Sequence, residues 1–184
     1  MEESTSKNLF GEAIKTGVIL AAISIILTLL VYIVDVNLLA DWKLSIGILI
    51  TSFLIVIYFG KKFREETYEG GFLSFGESFK YCFSAFFISS IISMFFRILL
   101  YEVVDPELPK IITNKALENT EAMMESFGAP ADKIDETLEQ VEADMEGKFT
   151  VGGILSGSWV YILTSAFFGA IAGAILKKKK PEFE

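Results

Sequence analysis

The sequence predicts an all-α membrane protein with four transmembrane helices and a helical hairpin in the loop between helices three and four. Four runs carry no charge: 17–34, 44–60, 81–96 and 149–176. The chain of 184 residues is 52% hydrophobic and holds 17 Phe, more apolar surface than a soluble domain of this size can cover. Between the third and fourth runs the composition turns abruptly to Glu, Asp, Lys and Ala, with apolar residues at helical spacing.

A helix crosses a bilayer with about 20 mostly apolar residues, and each run reaches that length once its flanks are included. Lipid offers no partner to exposed backbone groups, so such runs are helices; the alternating short segments of a transmembrane barrel are absent from the sequence. The predicted spans are approximately 13–34, 43–60, 75–104 and 150–176, in a single membrane domain covering 1–184. The first span ends in VYIVDVN with no small-residue cleavage site, which reads as a retained helix and not a removed signal peptide.

Span one carries small residues at Ala13, Gly17, Ala21, Ser24 and Thr28 on one helical face, where helices in lipid approach closely. Asp35 falls on the same face. Asp41 is placed as the N-cap of span two, with Trp42 at the interface and the basic residues Lys61, Lys62 and Arg64 at the far end. Gly70 and Gly71 then break the pattern, and Ser74-Phe-Gly-Glu77 has the spacing of a capping box, which satisfies two orphan donors at a helix start. A helix from Phe75 to Val104 is on the order of 45 Å long, against about 30 Å of hydrocarbon, so it tilts or protrudes. Phe72, Phe75 and Phe79 read either as an interfacial aromatic group or as a partly buried elbow. Span four holds Gly153-xxx-Gly157 and Gly169-xxx-Gly173, which permit close helix contact within one chain or between two.

Arg97 is the only charge inside an apolar span. It lies about 6 Å along the helix from the interfacial Tyr101, within reach of a snorkelling side chain, so a structural ion pair with Asp35, Glu102 or Asp105 is favoured over a pathway residue. In the loop from 107 to 148, Ile134, Leu138, Val141 and Met145 form one amphipathic face, Ile112, Ala116, Met123 and Phe127 a weaker one, with Gly128-Ala-Pro130 as the break. From Glu102 to Lys148 thirteen acidic residues stand against four lysines, a net of −9 in a chain of −8. A solvated acidic surface is the expectation, with a weak cation or a basic partner as the sharper alternative. No calcium-loop pattern is present.

Lys and Arg set the orientation. Lys7, Lys15, Lys61, Lys62, Arg64, Lys80 and Lys177 to Lys180 fall on one side, ten in all; Lys43, Lys110, Lys115, Lys133 and Lys148 fall on the other. Both termini are therefore expected in the cytoplasm, with the acidic loop exported. The chain has no His and a single cysteine, Cys82. That removes His-based acid/base chemistry, the usual triads, most zinc sites and any intramolecular disulfide.

The order GEAIKTGVILAAIS, a basic turn, GGFLSFGESFKYCF and a glycine-rich last span ending in lysines resembles the bacterial membrane family labelled domain of unknown function 4199. The resemblance runs roughly from Leu9 to Lys180, and Phe75-Gly76-Glu77-Ser78-Phe79 is its most specific piece. It implies four spans and a bacterial inner-membrane location, and it brings no catalytic residues with it. The expected function is a non-enzymatic structural or accessory protein acting through helix packing and its exported acidic loop, without cofactor, metal or nucleic acid. Its expected partners are the bilayer and either a second copy or another membrane protein. The alternative is a small oligomeric transporter or channel, its pore lined by Ser89, Ser93 and Thr28.

Overall fold

A computed structural model describes the chain over residues 2–179, with side chains over 9–68 and 70–179. The Lys7 side chain and Lys180, which enter the charge count for orientation, lie outside the described residues. Helix α1 spans Glu2–Val34, α2 Trp42–Thr67, α3 Phe75–Leu99, α4 Leu108–Ser126, α5 Ala131–Met145, α6 Val151–Ser156 and α7 Trp159–Leu176. Four stretches are long and apolar enough to cross a membrane: Leu9–Val34, Trp42–Thr67, Phe75–Val104 and Trp159–Leu176. The chain is a multi-pass membrane protein.

Two departures from a plain four-helix reading have local causes. Beyond Leu99 the helix does not stop; it widens into a π turn over Leu100–Val104, closed by the Asp105 N–H on the Leu100 carbonyl at 2.9 Å. The last apolar run is divided. α6 ends at Gly157, whose N–H returns to the Gly153 carbonyl at 3.0 Å, and Ser158 donates to the Leu155 carbonyl before α7 begins at Trp159. The fourth crossing is thus 18 residues, shorter than the expected 150–176.

The chain forms two compact units. The first holds α1 as far as Ile25, residues 47–93 and the chain from Trp159 onward. Its core joins Leu9, Ala13 and Leu20 of α1, Val56 and Phe63 of α2, Tyr81, Cys82, Ala85 and Phe86 of α3, and Ala172 and Leu176 of α7. Small residues let the backbones meet. A Cβ at Gly17 would stand 2.8 Å from the Ala85 carbonyl oxygen, and Ala21 is buried one turn later. On the other side of α3, a Cβ at Gly169 would lie 3.0 Å from the Phe83 backbone and one at Gly173 2.9 Å from the Phe79 nitrogen. The displaced rings form a ladder up α3, Phe75, Phe79, Phe83 and Phe87, with centroids 5.8 to 6.3 Å apart at successive i, i+4 positions. Phe53, Phe86 and Phe168 fill the space among α2, α3 and α7. A buried polar link crosses this core, between the Thr16 and Tyr81 hydroxyls at 2.6 Å.

The second unit holds residues 26–46 and 94–158. Leu100, Leu108 and Ile112 are its buried centre, surrounded by Tyr32, Val36, Leu39, Phe96, Met145 and Phe149. Asp105 organises it: one carboxylate oxygen accepts from the Tyr32 hydroxyl at 3.0 Å and the other from the Glu107 N–H at 3.1 Å, fixing the entry to α4. α4 packs along the five-residue turn Val36–Ala40 that joins α1 to α2, and also against α5.

Candidate functional site

The polar groups of the first unit gather where α2 turns into α3. Tyr68 to Ser74 form an elbow that depends on two left-handed glycines, Gly70 at φ 71° and Gly71 at φ 65°. Any Cβ at Gly70 would also overlap the Phe72 ring, so this position takes only glycine without strain. The elbow leads into α3 through reciprocal bonds: the Ser74 N–H and hydroxyl donate to Glu77 Oε2 at 3.0 and 2.6 Å, and the Glu77 N–H donates to Ser74 Oγ at 3.3 Å. This arrangement supplies donors and acceptors that the helix start lacks internally.

The C-terminal tail closes on the elbow. Leu73 and Lys178 exchange both backbone bonds, at 3.0 and 2.9 Å, as an isolated antiparallel bridge. The Lys178 ammonium donates to the Gly70 carbonyl at 3.0 Å and stands 5.4 Å from the Phe72 ring centre. Arg64, on the last turn of α2, donates from Nη1 to the Leu176 carbonyl at 2.8 Å, placing a cation at the negative end of α7. Its side chain is only 12% exposed, and its Nε has no protein partner. Leu73 and Leu176 are buried beneath these bonds. Tyr68 stacks edge-on against Phe63, and burial, with the Glu77 carboxylate adding to it, raises its phenol above the ordinary tyrosine value. Lys61, Lys62, Lys80, Lys177 and Lys179 are exposed around this clasp. The arrangement holds a tail in place and presents positive charge; an anionic headgroup is attracted by about 1 kcal/mol per nearby basic residue.

The polar residues of the second unit are used differently. Asp35 is exposed, and its Oδ1 accepts from both the backbone and the side-chain amide of Asn37 at 3.0 and 2.9 Å, capping the turn that follows α1. The Asp41 carboxylate accepts from the Lys43 N–H at 2.7 Å at the start of α2. Arg97 is exposed on the last turn of α3, and Glu102 is exposed on the π turn, where it lines a shallow groove with Tyr101, Lys110, Met145 and Phe149. A Cβ at Gly153 would overlap the Gly147 carbonyl, so its smallness serves the turn between α5 and α6. Gly157 ends α6 and faces only its own preceding carbonyls. Gly169 and Gly173 make a close approach to the backbone of α3.

Among the described residues, no group of three or more Asp, Glu, Cys or His is placed to hold a metal ion. Sequence patterns are silent on the tertiary links of the clasp. Arg64 to Leu176 and Lys178 to Gly70 join positions more than a hundred residues apart, and both acceptors are backbone carbonyls, which leave no trace in residue type.

The chain matches the family described as a protein of unknown function (DUF4199) over residues 15–178, and it belongs to that family. The match takes in the first candidate span from residue 15 onward, the other three whole, the elbow and Lys178. No curated protein and no solved structure matches the chain.

Proposed function

We propose that the protein is a non-enzymatic structural or accessory component of a bacterial inner membrane, with both termini cytoplasmic and an acidic helical hairpin, α4 and α5, exported to offer a docking face. The observation that carries this reading is how the membrane part is filled. α3 and α7 meet backbone on backbone at Gly169 and Gly173, and phenyl rings occupy the remaining space, an arrangement suited to holding a fixed shape. The charge lies elsewhere. On α5, Ile134 is buried, while Asp132, Asp135, Glu136, Glu139, Glu142 and Asp144 are exposed. A helix that turns its apolar stripe inward and its carboxylates outward suits a basic partner, whether a second copy or another membrane protein.

A photo-crosslinking residue introduced at Glu139 in native membranes tests this. The expected result is one discrete adduct, reduced severalfold when Asp135 and Glu142 are changed to Asn and Gln. Ion or solute flux through the reconstituted protein, abolished by Ser93→Val, would instead establish the transporter reading.

A further inference from the structure

We infer that the tip of the α4–α5 pair is a lipid-contacting element, in which Met123 and Phe127 enter the interfacial layer of the bilayer. These side chains are 54% and 82% exposed, and they lie four residues apart on one helical face. The exposure of Phe127 is close to that of Ile33 and Val34, at 76% and 78%, which end the first span in the same compact unit.

What fixes the occupant as lipid is the level at which α4 lies. The turn Val36–Ala40 connects two successive spans, so it stands where they leave the membrane and runs across the space between them. α4 packs along that turn: Leu108 and Ile112 belong to the buried cluster against which Val36, Leu39 and Ala40 pack, and the Asn119 side-chain amide reaches the Ala40 carbonyl at 3.5 Å. From Asn119 to Phe127 the helix advances about 12 Å at 1.5 Å per residue. The tip therefore lies within about 12 Å of the boundary level, on the segment of α4 past its contact with the turn. Gly128, at φ 72°, follows the end of the helix and turns the chain toward Pro130, leaving the Phe127 side chain exposed. Aromatic and thioether side chains suit the interfacial layer, where an apolar group leaves water without entering the hydrocarbon centre. The exposed carboxylates of α5 face water in this arrangement, and their repulsion from anionic headgroups favours a neutral lipid surface.

The test uses the full-length chain with Trp42 and Trp159 changed to Phe, so that Phe127→Trp carries the only indole. The protein is reconstituted in phosphatidylcholine vesicles, with and without bromine on the upper acyl chain. The expected result is about a twofold or greater loss of emission in the brominated vesicles, with a blue-shifted maximum and weak quenching by acrylamide. The same indole placed by Asp132→Trp is expected to show the reverse, insensitivity to bromine and strong quenching by acrylamide. Emission from the Phe127 position that is indifferent to bromine overturns the inference, whether acrylamide quenches it, as in water, or fails to, as against a protein partner.

Discussion

Gly173→Val is expected to destabilise the first unit by roughly 3 kcal/mol or more. A Cβ at this position meets the Phe79 nitrogen at 2.9 Å and its Cα at 3.0 Å, and backbone cannot swing aside as a flexible side chain can. α7 must then move away from α3, which separates Ala172 and Leu176 from Tyr81 and Cys82 in the same core. Overpacking of this kind costs roughly 1–3 kcal/mol, and valine, with two further methyls, belongs at or above the upper end. Gly169→Val acts one turn earlier against Phe83 and follows the same logic. Gly76→Ala is the control: nothing lies within 4 Å of its Cβ position, and its stability should stay within about 0.5 kcal/mol of the parent. Unfolding in detergent, followed by loss of helical circular dichroism, measures all three. Equal stability of Gly173→Val and Gly76→Ala would mean that α3 and α7 do not meet in this way.

The second large effect is expected from Arg64→Met, which keeps the length and apolar stem of the side chain and removes its donors. The change leaves the Leu176 carbonyl without its charged donor and removes the cation from the end of α7. A hydrogen bond to a charged group contributes about 1.5–3 kcal/mol, and the low exposure of Arg64 places its bond in that class more than among surface ion pairs. The loss is local in its first consequence. With Leu176 released, the Leu73 to Lys178 bridge loses its support, so trypsin should cut after Lys177, Lys178 and Lys179 severalfold faster than in the parent. An unchanged cleavage rate would show that Arg64 does not hold the tail.

The four spanning helices were legible because burial in lipid leaves a mark on every residue of a span, and charge-free runs of this length have few other physical explanations. The bonds between Ser74 and Glu77 follow from residues three apart, a distance that the helix itself sets. The division at Gly157 and Ser158 was not legible. Gly153 and Gly157 have the spacing of a packing motif, and only the turn at Gly147 and Lys148 shows that one of them accommodates a loop. The Asp35 carboxylate also has a local use that its position does not announce: Asn37, two residues away, supplies two donors with little loss of chain entropy. Tyr32, whose hydroxyl reaches Asp105 across 73 positions, carries no sequence signal that separates it from an ordinary interfacial tyrosine. Local geometry is written in spacing, whereas contacts to distant backbone are written only in the fold.

The proposed role depends on the acidic helices being exported and the basic elbow being cytoplasmic. Thiol labelling of intact cells tests this most directly. With Cys82 changed to Ala, a membrane-impermeant maleimide is applied to Ser126→Cys, at the end of α4, and to Glu66→Cys, at the end of α2. The expected result is labelling of the Ser126 position in intact cells and of the Glu66 position only after permeabilisation. Labelling of the Glu66 position in intact cells, with the Ser126 position protected, would contradict the proposed role.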